Sequence, residues 1–261
     1  MKMYTKESLR ASLLEIRDRG WILNARPGNQ GGVGNTLEDL LGIKENNLPL
    51  PNAAEWELKA HAGKAGTYTT LFHMEPSPRG LDLVPQFLLP VYGWPHKKAG
   101  ILYPDTERSF RQTISTRARS DRGFGVVVDE QSKRVVISFA ATAVSSAHMD
   151  WLHQVETNAG HLGELDPQPY WAFSDLFPVA AAKLTNCFYV LADKHQQQGQ
   201  TFFRYRTFYM LKGFSVKRFH TALISGEVLL DFDARTGHNH GTKFRARAGF
   251  LPSLYESAEE F

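Results

Sequence analysis

The chain has 261 residues, of which 42% are hydrophobic and 22% are charged, a composition typical of a globular protein with a sizeable core. Thirty basic and 27 acidic residues give a formal net charge of +3, which permits a polyanionic partner without requiring one. The single cysteine, Cys187, excludes an internal disulfide and a cysteine-based zinc site. The N-terminus lacks an apolar signal core and no apolar run reaches spanning length, so we expect a cytoplasmic protein with no membrane partner.

Two helices and two strands are predicted in the first part of the chain. Apolar residues at helical spacing between Thr5 and Asp18 predict an amphipathic helix, with Thr5 as its N-terminal cap. Thr36 is expected to cap a second helix, which ends at Gly42. Strands are predicted around residues 57–59 and over 68–72.

Most of the remaining chain predicts strands. Residues 114–116 alternate like a strand that would place several arginines in a row, and residues 123–139 predict a hairpin. A helix is expected from about Tyr170 to Asn186. The further expectations, in chain order, are a buried strand (187–191), a polar loop (194–200), a strand with one basic face (202–211), another strand (228–232) and a frayed tail (252–261).

Glu57 and Lys59 are separated by one apolar residue, Leu58. Because side chains alternate along a strand, Glu57 and Lys59 would share one face and Leu58 would point into the core. A carboxylate beside an ammonium can bind a divalent metal and orient a water, which is what hydrolysis of a phosphodiester requires. The same pattern alone is usually a surface ion pair, so its surroundings decide between the two interpretations.

A set of motifs in a fixed order surrounds this pair. Thr36-Leu37-Glu38, Pro51-Asn52, Glu57-Leu58-Lys59 and Glu75-Pro76-Ser77-Pro78 are followed near the C-terminus by Asp231–Arg235 and Asn239–Arg245. Together they resemble the MvaI/BcnI family of type II restriction endonucleases, which are PD-(D/E)xK nucleases related to the mismatch-repair nicking enzyme MutH. The resemblance extends over roughly residues 20–247.

The resemblance implies an α/β fold with a restriction-endonuclease-like core, a central mixed sheet flanked by helices, and a second, DNA-reading lobe that forms a cleft. It implies one nuclease unit, with residues 1–110 forming mainly the catalytic lobe and residues 111–261 a mixed core and recognition lobe. The implied activity is cleavage of double-stranded DNA at a short CC-N-GG type site with Mg²⁺, for which Mn²⁺ can substitute. Family members act as monomers in prokaryotic cells, alongside a companion DNA methyltransferase.

The resemblance also assigns roles to residues near the acid–lysine pair. Glu57 and Asn52 would hold the metal, Lys59 would orient the attacking water, and Glu38 would assist as a further acid. Without the resemblance, Glu38 would simply complement the dipole of a helix in its first turn.

The family has aspartate at the position of Asn52, and an amide oxygen carries no charge. Three explanations stay open: Glu55 or Glu38 supplies the missing charge, the homologue is inactive, or the chain was altered to hold DNA uncut.

Several basic residues are candidate DNA contacts. Arg117 and Arg119 lie among interleaved hydroxyl residues, and arginines and hydroxyls commonly contact phosphates; a solvated arginine-rich strand is the alternative. Arg218 is a further basic candidate. His61 and His73 follow the two early strands and are also candidate contacts, with a surface histidine as the alternative for His61.

A second group of candidates lies between residues 233 and 245. Arginine pairs bidentately with guanine and aspartate accepts from cytosine N4, so Asp233 and Arg235 on one strand face suit a G·C pair. In the family a matching pair reads the site, and histidines probe its central pair. The remaining candidates are His238, His240, Lys243 and Arg245. A plain loop, or a metal site built from the two histidines, are the alternatives.

Two other function classes stay open. A DNA-binding module without catalysis, for which Asn52 is the argument, would bind DNA and cut it at no Mg²⁺ concentration. A MutH-like nickase would give nicked circles and few linear products, and would cut more when a repair partner is added.

Overall fold

The computed structural model describes residues 4–27, 32–43, 56–63 and 66–261. The helices are α1 (Lys6–Asp18), α2 (Gly32–Leu41), α3 (Leu89–Tyr92), α4 (Met149–Ala159), α5 (Phe173–Leu184) and α6 (Val216–Ile224). The strands are β1 (Ile22–Leu23), β2 (Glu57–Ala62), β3 (Tyr68–His73), β4 (Trp94–Pro95), β5 (Arg108–Ile114), β6 (Arg122–Asp129), β7 (Arg134–Val144), β8 (Tyr170–Ala172), β9 (Asn186–Gln197), β10 (Gln200–Phe214), β11 (Val228–Arg235), β12 (His238–Asn239), β13 (Lys243–Arg247) and β14 (Tyr255–Glu260). Within the described ranges, every helix is too short or too polar to cross a lipid bilayer.

The chain divides into two compact units. The first comprises Met1–Thr69, Pro178–Arg218 and Arg247–Phe261. Its sheet has the strand order β1–β10–β9–β2, with β14 also paired to β10. Strand β2 runs parallel to β9 and the other pairings are antiparallel, so the predicted mixed sheet is confirmed.

Helices α1 and α2 cover one face of this sheet. The shared core includes Leu9, Leu13, Ile16, Leu37, Leu41, Leu58, Phe188, Val190 and Phe208. Burial of each large apolar side chain contributes about 1.5–3 kcal/mol to folding. The core therefore fixes one face of β2 firmly, and the opposite face is left for polar side chains.

The predicted N-cap of α1 is confirmed, whereas the predicted N-cap of α2 is wrong. Thr5 caps α1 through a reciprocal pair of hydrogen bonds with Ser8. Thr36, in contrast, lies inside α2 rather than at its N-cap, because its hydroxyl bonds with Asn24 Oδ1 at 3.2 Å and accepts from Ala25 N at 3.1 Å. Gly42 ends the helix in a left-handed conformation, as predicted.

The second unit comprises Thr70–Phe177 and Phe219–Ala246. One of its sheets has the order β3–β13–β11–β5–β4, with β12 paired to β11, and another has the order β6–β7–β8. The hairpin predicted over 123–139 is confirmed as β6 and β7. Rings of Tyr92, Phe110, Phe124, Phe139 and Trp151 pack together in this unit.

The lobe boundary predicted near residue 110 does not coincide with these units. Residues 178–218 and 247–261 fold with the N-terminal segment, because β9 pairs with β2 and β14 pairs with β10. The units are thus interleaved along the chain.

Four further predictions are corrected. The tail that was predicted to be frayed forms strand β14. Phe261, which follows this strand, packs against Phe208. The polar loop at 194–200 is the end of a β9–β10 hairpin, stabilised by ion pairs of Asp193 with Arg204 and Arg206 at 2.8 and 2.9 Å. Strand β5 ends at Ile114, so it carries Arg108 and Arg111 but not Arg117, Arg119 or Arg122, and α5 begins at Phe173.

Candidate active site and nucleic-acid interface

Glu57 and Lys59 form a buried ion pair on β2. Lys59 Nζ donates to Glu57 Oε1 at 3.0 Å, and the side chains of Lys59 and Glu57 are only 9% and 10% exposed. Leu58, between them, is buried in the core beneath α1 and α2. The prediction that the acid and the lysine share one strand face is therefore confirmed, and the pair is buried rather than a solvated surface ion pair.

The second carboxylate oxygen of Glu57 is the unusual feature of the pair. Glu57 Oε2 is buried and has no hydrogen-bond partner among the residues that the structure describes. Leaving a buried charged oxygen unpaired costs free energy, so such an atom in a folded protein calls for a partner such as an ion. The donor set fits Mg²⁺, which takes oxygen ligands and needs only one or two carboxylates.

Of the other residues predicted to assist in metal binding, the structure describes only Glu38. Asn52 and the alternative acid Glu55 lie outside the described residues. Glu38 lies half-buried in the middle of α2, so the interpretation that it complements the dipole in the first turn is wrong. Among the described residues there is no cluster of three His, Cys, Asp or Glu side chains suited to a metal ion.

Cys187 lies opposite Glu57 in the parallel register of β2 and β9. Burial raises the pKa of the Cys187 thiol to about 12, so it stays protonated and uncharged at neutral pH. Cys187 is thus a free, buried thiol. Burial also raises the pKa of the nearby Tyr255 hydroxyl, with Cys187 and Glu57 adding to the shift.

His61, two residues after Lys59, is buried rather than at the surface. Its Nε2 lies 2.7 Å from the Thr67 hydroxyl and its Nδ1 lies 3.1 Å from the Thr69 hydroxyl. The Thr69 hydroxyl in turn lies 3.3 Å from that of Tyr189. Both ring nitrogens are thus engaged within the first unit, and a DNA contact by His61 stays a prediction that this environment does not favour.

In the second unit, strand β11 presents two carboxylates that are each held by neighbouring strands. Asp233 pairs with Arg111 Nε at 3.0 Å and with Lys243 Nζ at 3.5 Å. Asp231 accepts from Thr113 Oγ1 at 2.7 Å and from Arg245 Nη1 at 3.0 Å. We call the face formed by Arg111, Thr113, Asp231, Asp233, Lys243 and Arg245 the charged ladder.

Arg235 lies on β11, two residues beyond Asp233, as the spacing requires. Its Nη1 donates to Glu107 at 3.0 Å, and Glu107 is only 6% exposed. Its guanidinium carbon lies 4.7 Å from the centre of the Tyr103 ring, a cation–π distance. The guanidinium is therefore held in a defined place before any ligand binds.

His238 and His240 are exposed next to the ladder, and their rings lie 4.2 Å apart and nearly perpendicular. Partial burial lowers the pKa of His240, with His238, Lys243 and Arg111 adding to the shift and Asp233 opposing it. His240 is accordingly neutral at pH 7. The metal alternative is not supported, since no third ligand is found in the part of the chain that the structure describes.

Two acidic residues near the charged ladder, Glu75 and Glu107, were not predicted from the sequence as site residues. Glu75 accepts hydrogen bonds from Asn239 and Thr242, and Glu107 holds Arg235. In the sequence, Glu75 was only part of a motif that carries the family resemblance, and Glu107 had no predicted role. Only the strand pairing, which brings β4, β5 and β11 side by side, could have indicated Glu107.

Arg117 and Arg218, two other predicted DNA contacts, form hydrogen bonds within the protein. Arg117 Nε donates to Ser225 O at 2.8 Å and pairs with Glu227, and Arg218 donates to Tyr255 O. His73 is exposed at the end of β3. These residues stay predicted DNA contacts.

Arg119 shows how such an arginine can be structural. Its guanidinium donates to Gly123 O at 2.9 Å, to Ser138 O at 3.0 Å and to Ser138 Oγ at 2.8 Å. Arg119→Ala should lower the free energy of unfolding by about 1–3 kcal/mol, because these acceptors lose their donor. Urea denaturation measures this loss, with Arg204→Ala, an exposed ion-pair partner, as the near-neutral control. Unchanged stability with weaker DNA binding would instead make Arg119 a phosphate contact.

The model of the MvaI/BcnI restriction endonuclease family matches residues 11–255. A solved structure described as a complex of restriction endonuclease MvaI with its cognate DNA substrate superposes with a TM-score of 0.77 at 21% identity, covering 98% of this chain and 99% of that one. MvaI in the absence of DNA gives a TM-score of 0.51 at 21% identity, covering 100% and 99%.

No curated protein sequence matches the chain. The family match extends over nearly the whole chain, and the structural likeness supports the same fold. The expected fold class is thereby confirmed. The chain belongs to the MvaI/BcnI restriction endonuclease family.

Proposed function

We propose that this protein is a type II restriction enzyme that hydrolyses double-stranded DNA at a short CC-N-GG type site with the help of Mg²⁺. The observation that carries the proposal is the buried Glu57–Lys59 pair, whose Glu57 Oε2 atom has no hydrogen-bond partner among the described residues. A structural ion pair would place hydrogen-bond donors on both carboxylate oxygens, whereas a catalytic carboxylate keeps one oxygen for a ligand.

In this proposal Glu57 and Asn52 hold the cation, for which Mn²⁺ can substitute, and Glu38 assists as a further acid. When bound, the cation supplies positive charge next to the scissile phosphate. Lys59 orients the attacking water and stabilises the negative charge that develops on the phosphate. Burial strengthens that interaction, because the ammonium acts from a site with little competing water.

The reading of bases falls to the second unit. Arg235, already held by Glu107, donates to guanine O6 and N7, and Asp233 accepts from cytosine N4. The neutral ring of His240 carries one donor and one acceptor nitrogen, so it can face either member of a central base pair. His238 supports it through the perpendicular ring contact.

The remaining contacts are assigned to the DNA backbone or groove edges. They are His61, His73, Arg117, Arg119, Arg218, Lys243 and Arg245. Double-stranded DNA is the partner, and the protein acts as a monomer in the cytoplasm of a prokaryotic cell, with a companion methyltransferase that is not a stable subunit. Membership of the family supports these last assignments.

A second candidate function rests on Asn52. With an amide in place of the family's aspartate, the site has one negative ligand fewer, which favours a DNA-binding homologue that does not cut.

One experiment separates these functions. Purified protein and an Asn52→Asp variant are each incubated with plasmid and Mg²⁺, and the products are resolved on a gel. Discrete fragments from both would make Asn52 a tolerated ligand, and fragments from the variant alone would make the chain a catalytically silent binder. Nicked circles with few linear products would indicate a nickase. No cutting by either protein, with Mg²⁺ or in a parallel incubation with Mn²⁺, would contradict the nuclease proposal.

A further inference from the structure

A single carboxylate, that of Glu75, holds both ends of the turn that joins β12 and β13. Glu75 Oε1 accepts from Asn239 Nδ2 at 3.3 Å and from Thr242 N at 2.9 Å, and Oε2 accepts from Thr242 Oγ1 at 2.9 Å. An ionised carboxylate only accepts hydrogen bonds, so its two oxygens match three donors without conflict. Glu75 lies two residues after the end of β3.

The turn is fixed from other sides as well. Gly241 has a left-handed backbone with φ of +79° and donates to Asn239 Oδ1 at 3.0 Å. Met74 N donates to Thr242 O at 3.0 Å, and His240 N donates to Asp233 O at 3.1 Å. The backbone of His240 is therefore set between the Glu75 anchor and the charged ladder.

His240 lies in this turn, and His238 comes directly before it on β12. Thr242 is almost fully buried, whereas His238 and His240 point outward and meet at 4.2 Å. A small shift of the turn would move both rings, because side chains at the tip of a hairpin follow its backbone. Hydrogen bonds to a base edge tolerate only small errors of distance and angle.

We propose that Glu75 is a positioning residue that fixes the 239–242 turn so that His238 and His240 discriminate the central base pair of the recognition site. The inference rests on the proposed function, since it assumes that these histidines face DNA. Glu75 touches no base itself and acts only through the turn.

The variant Glu75→Gln tests this directly. Glutamine keeps the size of the side chain but turns one acceptor oxygen into an NH₂ donor, which opposes the donors of the turn. Glu164→Gln is the matched control, because Glu164 also accepts from a hydroxyl, that of Ser138 at 2.6 Å, and from backbone N–H groups in the same unit. Both variants should lose stability to a similar degree.

Two measurements then distinguish positioning from a merely structural role. In the first, ¹H–¹⁵N NMR of the free protein follows the ring signals of His238 and His240, which should shift in Glu75→Gln and stay in place in Glu164→Gln. In the second, fluorescence anisotropy without Mg²⁺ compares binding to CC-N-GG duplexes that differ only at the central pair, beside a random duplex. We expect Glu75→Gln to lose about tenfold of the central-pair discrimination with unchanged binding to the random duplex.

The outcomes are separable from those of the proposed function. If the unaltered protein prefers a CC-N-GG duplex and Glu75→Gln keeps its central-pair discrimination, the inference is overturned and the proposed function stands. Equal losses in Glu75→Gln and Glu164→Gln would also overturn it, because they would reflect stability alone. If the unaltered protein binds all duplexes equally, the proposed recognition fails and the discriminating role falls with it, while the NMR signals still show whether Glu75 fixes the histidines.

Discussion

Lys59→Met is expected to lower the rate of DNA cleavage by about 10²–10³-fold while leaving the affinity for DNA nearly unchanged. Methionine keeps the apolar stem of the side chain and removes only the ammonium that lies 3.0 Å from Glu57. The loss should appear in the rate of the chemical step, because the ammonium stabilises charge that develops only in the transition state. Single-turnover cleavage of a labelled duplex measures that rate, in whichever background, Asn52 or Asn52→Asp, cuts DNA.

A structural consequence must be separated from the catalytic one. Removing one partner of a buried ion pair leaves the other uncompensated, at a cost of about 3–5 kcal/mol in folding free energy. Thermal unfolding should therefore accompany the assay, which is run well below the midpoint of the variant. Arg204→Met is the matched control, since Arg204 pairs with Asp193 on the same sheet but at the surface. A folded Lys59→Met protein that cuts at the original rate would remove Lys59 from the mechanism.

Arg235→Ala should weaken binding to the recognition site by about 1–3 kcal/mol and relax discrimination at one G·C pair. The guanidinium is held by Glu107 and by the Tyr103 ring, so its loss removes a donor pair that is already in place. Equilibrium binding to a set of duplexes, each with one pair replaced, locates the position that loses selectivity.

Arg134→Ala is a suitable control for this variant, because Arg134 also lies over a tyrosine ring, that of Tyr170 at 4.2 Å, on a strand outside the charged ladder. It should leave sequence discrimination unchanged. If Arg235→Ala instead weakens binding to random and cognate duplexes equally, with a smaller salt dependence, Arg235 contacts a phosphate and not a base.

The sequence predicted those parts of the fold that local chemistry decides. The cap of α1 by Thr5 depends on residues three positions apart, and the shared face of Glu57 and Lys59 depends only on strand alternation. Thr36 was misplaced because its hydroxyl bonds with Asn24, a partner that helix-start rules do not consider. The tail was misjudged because its polar composition hides a pairing with β10, which only the folded chain supplies.

The candidate site likewise contains residues that the local sequence predicts and residues that it does not. Its acid and lysine could be found because they are neighbours in the sequence, and the reading residues because they crowd one short segment. Glu75 and Glu107 could not, because their partners lie 164 to 167 and 128 residues away. The residues proposed to touch a ligand left a local pattern, whereas those that hold them in place left none.

The charged ladder also bears on how the protein would search a genome. Its carboxylates Asp231 and Asp233 each neutralise a cation on a neighbouring strand, so the face offers little net positive charge to a passing duplex. Attachment of this face to arbitrary DNA, which depends on the release of counterions from phosphates, should consequently be brief and depend only weakly on salt. At a matching DNA site, base edges can replace these ion-pair partners by forming hydrogen bonds with the carboxylates and cations. The charged ladder would therefore stay bound longer to correct sequences and dissociate quickly from all others.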